Sequence, residues 1–479
     1  MNEMFRRAYE FHQQGKLQEA LEYYEMCTDS EDIPQILSIC GLLYKELGRY
    51  DQATNYLTQA VQRFDSDPGL FFHLATCYEN LSLIDEAIQY YQKALALRQN
   101  HAATLNNLGH LYRKTGKIDQ AADLIQKALE LEVSPKILGN FSLVLQELGE
   151  TDQALSVATQ AANLSPESLD FRWNLGILQL LQQNFEEGWE NYEAGIENGS
   201  RRMPALPIPR WHGNPLSHER LFIQSEQGLG DQILFSTCFG DLATLVQECT
   251  IECHPRLVSI FSRTWPELTF KKPDANLQFF DYRFEMGSLP SLFRKNQSCF
   301  PSELSHVIAA TKEREEKWRS LLASLEGLKV GISWQGGNAD EAWKRSTTLS
   351  DWYPTSHIPG IELINLQYGD LTLHLDEMNE LGIHHWPQED LTNDLENLCG
   401  LIGNLDLVIT VSSTVAHLAA AMNKPVWLLL PYAPSWRWFL NISYSPWYPS
   451  VQIFRQEQRG DWTHVFEKVN QELRLNLKE

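Results

Sequence analysis

A small residue recurs in this chain every 33 or 34 positions, six times in succession. Ala20, Ala53, Ala87, Ala121, Ala154 and Gly188 carry this first series. A second small residue stands twelve places earlier in each copy: Ala8, Gly41, Ala75, Gly109, Ser142 and Gly176. A third series, Gly15, Gly48, Ser82, Gly116 and Gly149, falls between the two. A period of this length predicts a stack of two-helix units, each burying its apolar face only against its neighbours. Small residues let the paired helices approach closely, and the third series supplies the left-handed backbone that ends a first helix. Asp67-Pro68 and Ser165-Pro166 are expected to open helices, because Pro is tolerated in a first turn.

The pattern resembles the tetratricopeptide repeat, with about six copies over residues 1–197 and an aromatic (Phe11, Tyr44, Tyr78, Tyr112) three places after the second small residue of the first four. Such arrays present a groove, so a protein or peptide partner is expected. Asn107, Asn140 and Asn174 stand two places before that small residue in the later repeats. An Asn side chain both donates and accepts, so these three are candidates to hold an extended peptide by its backbone, or are simply common repeat residues.

The helical period stops after residue 197. Residues 198–218 begin NGSRRMPALPIPRWHGNP and read as a linker or docking segment. Beyond it, apolar strands alternate with helices: ERLFIQS, LKVGISW, LDLVITV and KPVWLLLP. This pattern predicts parallel sheets covered on both faces, with ligands at the carboxyl ends of the strands. Three loops fall there: EQGLGD, WQGGNADEAWKRS and VSSTVAH.

From about Glu219 onward, EQGLGDQILF, GISWQGG, KRSTTL and LDLVITVSSTVAHLAAAMNKPVW resemble glycosyltransferase family 9, the heptosyltransferases, as found behind tetratricopeptide repeats in bacterial proteins. The resemblance implies a GT-B fold: an all-α repeat solenoid followed by an α/β domain of two Rossmann-like lobes, expected at 219–325 and 326–479. It implies a nucleotide-sugar donor and no further cofactor. In heptosyltransferases a carboxylate of the Gly-Asp turn is the proposed base, which carries over to Asp231, with Glu226 on the same loop as an alternative. Asp231 could equally be a helix cap. Gly228 and Gly230 would let a ligand approach the backbone. Ser412, Ser413, Thr414 and His417 stand where the family holds the nucleotide diphosphate, although many relatives carry Asp in place of Ser412. Lys344, Arg345 and Ser346 are candidates to neutralise the departing diphosphate.

Charge narrows the partners. Of a net −23, residues 1–200 contribute −15, from 14 basic and 29 acidic residues. Nucleic acid and anionic membranes are therefore poor partners. The Asp-x-Asp pair that commonly holds a metal for sugar transfer occurs only at Asp65–Asp67, in a repeat turn, so no metal is expected. Cys249, Cys253 and His254 lie in a strand-like stretch and read as free thiols and a histidine rather than a zinc site. No stretch approaches 18 apolar residues and the amino terminus lacks a secretory core, so a cytoplasmic protein is expected. The leading expectation is a metal-independent transferase acting on a protein acceptor. The alternative is a non-catalytic scaffold with a degenerate transferase domain. The aromatic tail, Trp436, Arg437, Trp438, Trp447 and Tyr448, reads chiefly as lobe packing.

Overall fold

The computed structural model describes residues 3–27, 33–273, 279–337 and 344–477. It divides into two units, Met1–Ser165 and Pro166–Glu479.

The first unit holds five helical pairs: α1 (Glu3–Gln13) with α2 (Leu17–Glu25), α3 (Ile33–Glu46) with α4 (Tyr50–Val61), α5 (Pro68–Asn80) with α6 (Ile84–Leu97), α7 (Ala102–Lys114) with α8 (Ile118–Leu131), and α9 (Pro135–Leu148) with α10 (Thr151–Leu164). The small residues do what their spacing predicts. Ala20, Ala53, Ala87, Ala121 and Ala154 are wholly buried. A Cβ on Gly41 would come within 2.6 Å of the Leu57 side chain, and one on Gly109 within 2.5 Å of Ile125. The turn series adopts the left-handed backbone at every position, with φ of 72° at Gly15, 71° at Gly48, 61° at Ser82, 78° at Gly116 and 80° at Gly149. Asp67 caps α5, its side chain accepting from the Gly69 and Leu70 amides. Ser165-Pro166 opens no helix. Ser165 instead ends α10, and the next helix begins at Leu169 behind Ser168. A first-turn proline outside that expectation is Pro135 of α9.

The sixth pair, α11 (Leu169–Leu181) and α12 (Phe185–Tyr192), belongs to the second unit rather than to the first. Its large residues explain this. The Trp189 indole donates to the Arg294 carbonyl at 2.9 Å, and the Phe185 ring packs against Phe300 and Phe439. Residues 198–218 are likewise built into this unit rather than forming a spacer. The Arg201 side chain is wholly buried, Trp211 is 1% exposed, and the first strand already starts at Leu216.

Two all-parallel sheets follow. The first has the order β3-β2-β1-β4, from β1 (Leu216–Gln224), β2 (Val246–Glu252), β3 (Thr269–Lys271) and β4 (Tyr282–Glu285). The second has the order β6-β5-β7-β8-β9, from β5 (Leu328–Ser333), β6 (Ile361–Asn365), β7 (Leu407–Val411), β8 (Val426–Leu430) and β9 (Val451–Arg455). Every residue of β7 and β8 is buried, which is why LVITV and VWLLL read as unbroken apolar runs. The helix Lys312–Leu321 serves the second sheet: its Trp318 indole donates to Asn397 at 2.9 Å and its Arg314 pairs with Asp394 at 2.7 Å. That helix therefore packs with the second sheet although it precedes residue 326. Both sheets reverse their order once, between β1 and β4 and between β5 and β7. Those switch points leave crevices at the carboxyl ends of β1, β5 and β7, where EQGLGD, WQGG and VSST emerge.

All eight cysteines are free and only Cys299 is exposed. Among the described residues no group of three or more His, Cys, Asp or Glu side chains could hold a metal, and no helix is long and apolar enough to cross a membrane.

Candidate functional site

Two loops, one from each sheet, meet in the second unit, and Arg345 after β5 lies near enough to act electrostatically on His417. Gly228 precedes the helix Leu229–Phe235 in extended backbone, and Asp231 is that helix's third residue. One carboxylate oxygen of Asp231, Oδ2, faces the Gly228 amide at 3.4 Å, half of a capping box. The other, Oδ1, accepts from Arg437 Nε at 2.5 Å. Asp231 thus performs the capping role open to it, carries an ion pair, and keeps a fifth of its side chain exposed.

Gly230 packs against the second lobe. A Cβ there would lie 3.1 Å from the His417 ring and 3.6 Å from Thr414, so it is close approach that favours glycine at this position. Thr414 begins the helix Thr414–Ala421 after Ser413, whose hydroxyl lies 3.3 Å from that of Thr410 and caps no amide. The amides of that first turn are therefore left without a side-chain acceptor, and their dipole suits an anion.

His417 is buried. It stacks on Trp438 with ring centroids 4.9 Å apart, and its Nδ1 lies 3.2 Å from the Tyr448 hydroxyl. Burial depresses its pKa to about 4; Asp231 pulls the other way, while Arg437 and Arg345 add to the depression. It is neutral at neutral pH and supplies no positive charge to a phosphate. Ser412 is also corrected by the geometry. Its hydroxyl accepts from the Trp438 indole at 2.8 Å and it is 8% exposed, so it braces the aromatic tail.

Glu226 is not an alternative base. Its side chain is wholly buried and bound by Arg201 through both oxygens, Oε2 accepting from Nε at 2.6 Å and Oε1 from Nη2. Oε1 also accepts the Gly287 amide at 2.7 Å. Arg201 further donates to Glu193 at 3.1 Å and Ser288 at 2.8 Å. Gln227 Nε2 donates to Oε2 at 3.4 Å, so each oxygen of Glu226 already faces two donors of the protein.

Across the site, Ser346 accepts from the Gly336 amide at 3.1 Å, and a Cβ on Gly336 would lie 2.5 Å from Arg345 Nε. That buried Nε has no hydrogen-bond partner. Lys344 is partly buried at the edge of this loop, and residues 338–343 before it lie outside the described residues. Asn107, Asn140 and Asn174 do not make a free ladder. Asn107 is buried, donates to Tyr91 at 3.0 Å and accepts from Lys136 at 3.2 Å, while Asn140 donates to Asn106 at 3.0 Å. These amides tie neighbouring repeats together. Asn174 sits on α11 in the other unit, partly buried.

Arg437, which the sequence placed with the packing of the aromatic tail, and two residues it did not single out, Gln367 and Gln227, organise the site. Arg437 donates to Asp231, to Gln227 at 3.0 Å and to Ser435 at 3.1 Å, and its guanidinium lies 4.8 Å over the Trp436 ring. Gln367 accepts from the Ser333 hydroxyl and from the Trp334 and Gln335 amides within 3.0 Å, fixing the turn after β5. Gln227 joins the first loop to Arg437. The one available cue was an arginine set between tryptophans in WRWFL.

Comparison with known proteins gives the following. Models described as tetratricopeptide repeat match residues 36–66, 70–131 and 140–200. Protein FlbA of Caulobacter vibrioides is 32% identical over 369 residues, covering 71% of this chain and 61% of FlbA. The chain thus spans about three fifths of FlbA's length. A tetratricopeptide repeat protein from Parabacteroides merdae is similar at 17% identity and a TM-score of 0.37, over 40% of this chain and 77% of that one. MamA is similar at 18% identity and a TM-score of 0.32, over 35% of this chain and 96% of its own. The helical part of the chain is an array of tetratricopeptide repeats.

Proposed function

We propose that the second unit is a glycosyltransferase of GT-B layout, moving a sugar from a nucleotide donor to a protein acceptor that the repeats recruit. The observation that carries this reading is the meeting of two parallel sheets at their switch points. There Gly230 lies against Thr414 and His417 of the Thr414–Ala421 helix, whose first turn has no side-chain cap, with a partly exposed carboxylate, Asp231, on the same loop as Gly230.

In this mechanism the donor diphosphate lies on the Ser413–Thr414 amides, with Arg345, Ser346 and Lys344 at its other side. Asp231 Oδ2 accepts the proton of an acceptor hydroxyl as that oxygen attacks the anomeric carbon. The bond from that carbon to the diphosphate breaks, and the fixed amides and guanidinium stabilise the charge that develops. The repeats give the protein acceptor its reason: an array of this kind suits a peptide, whereas a small acceptor needs none.

Calorimetry with UDP-, GDP-, ADP-, CMP- and TDP-sugars tests the site. Binding of one donor, lost in Arg345→Ala and retained in Asp231→Asn with loss of transfer, is expected. Silence across the panel rejects the enzyme. It leaves the second reading, a scaffold, which is favoured by one observation: Asp231 and Ser412 are both already hydrogen-bonded within the protein. Mass spectrometry of co-expressed neighbouring proteins, with and without this chain, reads out the added sugar.

A further inference from the structure

The sixth repeat ends inside the site's own hydrogen-bond network. Tyr192 is the last residue of α12 and is 1% exposed. Its hydroxyl lies 2.7 Å from Gln227 Nε2. Gln227 holds left-handed backbone at φ 60°, and its Oε1 accepts from Arg437 Nη2 at 3.0 Å. Arg437 Nε then reaches Asp231 Oδ1.

The direction of this chain of bonds is fixed by chemistry. A guanidinium only donates, so the Gln227 amide must turn its oxygen to Arg437 and its nitrogen to Tyr192, whose hydroxyl accepts. Burial pushes the Tyr192 pKa to about 12, so the phenol keeps its proton. Glu226 Oε2, 3.4 Å from the same Gln227 nitrogen, favours this orientation as well. Arg201 lies 4.8 Å over the Tyr192 ring and Trp436 sits edge-on to it at 5.4 Å. Arg437 is held in plane by Asp231, Gln227 and Ser435. With Oδ1 held in this way, the orientation of Oδ2 is set as well.

We propose that Tyr192 is a positioning residue for the transferase, aiming Asp231 through Gln227 and Arg437, so that the sixth repeat is a working part of the catalytic unit. The role in catalysis rests on the transferase reading above; the coupling itself does not.

Two measurements on the full chain keep these apart. The first needs no ligand. Tyr192→Phe, Asp231→Asn and the double variant are unfolded in urea and followed by tryptophan fluorescence. Coupled residues give a double variant whose unfolding equilibrium constant departs threefold or more from the product of the single effects; a smaller departure overturns the proposal. The second uses whichever donor of the UDP, GDP, ADP, CMP and TDP panel the wild type turns over. Tyr192→Phe is expected to lower kcat about tenfold with the donor KM within twofold, because a misaimed base does not weaken donor binding. A kcat unchanged at saturating donor overturns the positioning role even if the variant is less stable. If the wild type turns over no donor, the transferase reading fails, and the unfolding cycle still decides whether Tyr192 and Asp231 are linked.

Discussion

Replacing Glu226 by Ala should destabilise the second unit, because the side chain anchors structure rather than serving chemistry. Arg201 and Glu226 are both wholly buried, and the Arg201 guanidinium has Glu226, Glu193 and Ser288 as partners. Removing one member of a buried pair costs about 3–5 kcal/mol, because the remaining charge stays out of water. The Gly287 amide loses its acceptor as well, a further ~1–3 kcal/mol if nothing replaces it. Glu193 remains within 3.1 Å of Arg201 and offsets part of the loss. A net destabilisation of about 4 kcal/mol follows. At roughly 2.1 cal/mol/K of unfolding entropy per residue, a unit of this size loses about 6 °C in Tm. All 14 tryptophans lie between residues 173 and 462, so tryptophan fluorescence, excited clear of tyrosine, reports on this unit alone. Differential fluorimetry of the Glu226→Ala variant beside Asp231→Asn measures the effect. Asp231 is partly exposed, and its replacement should move Tm by less than half as much. Equal shifts, or none at Glu226, would refute the assignment of Glu226 to structure.

Other outcomes follow from the same geometry. Gly176→Ala should cost more than Gly41→Ala: the new Cβ would stand 2.6 Å from the Tyr192 backbone nitrogen in the first case, whereas in the second the nearest atoms, 2.6 and 2.8 Å away, belong to the Leu57 side chain. A difference of about 1–3 kcal/mol in urea titrations is expected. Ser82→Gly should stabilise the first unit by about 1 kcal/mol, since Ser82 holds φ 61° where Gly carries no Cβ penalty; circular dichroism melts check it. His417, held near pKa 4 by burial, takes up a proton more readily unfolded than folded. Its contribution is therefore whole above about pH 6.5 and is lost as pH falls toward 4, about 3 kcal/mol over that window. His417→Gln should flatten the acid limb of the fluorescence-detected stability profile; an unchanged slope would place the titration elsewhere.

The repeats were legible because a period is a local property. Close helix approach requires a small residue at a fixed place, and Gly15, Gly48, Ser82, Gly116 and Gly149 show the same left-handed turn that their alignment implies. The parallel strands were legible for a similar reason, since burial on both faces leaves no polar alternation in LVITV or VWLLL. What escaped depends on partners distant in sequence. Arg201, Arg210 and Trp211 lie among prolines and glycines and read as linker, yet Arg201 meets Glu226 and Trp211 packs against Phe284. Nothing local to Lys312–Leu321 says that Trp318 will seek Asn397 rather than the first sheet. The asparagines on α7 and α9 kept their expected chemistry but spend it on one another and on Tyr91.

The two carboxylates of EQGLGD show how far residue type alone can carry a functional assignment. Both are acids on one loop, five residues apart, and either could be written as a base. What separates them is the supply of donors around each. Glu226 is met by the Arg201 guanidinium, the Gly287 amide and the Gln227 side chain, which give each oxygen two donors, the condition of a structural anchor. Asp231 gives one oxygen to Arg437 and leaves the other facing only a long contact to Gly228, on a side chain still open to solvent. An anchored oxygen beside an accessible one is what a proton acceptor needs, because the first fixes the direction of the second. Arg437, 206 residues away in sequence, makes that difference, and it is the residue whose removal would leave Asp231 present but unaimed.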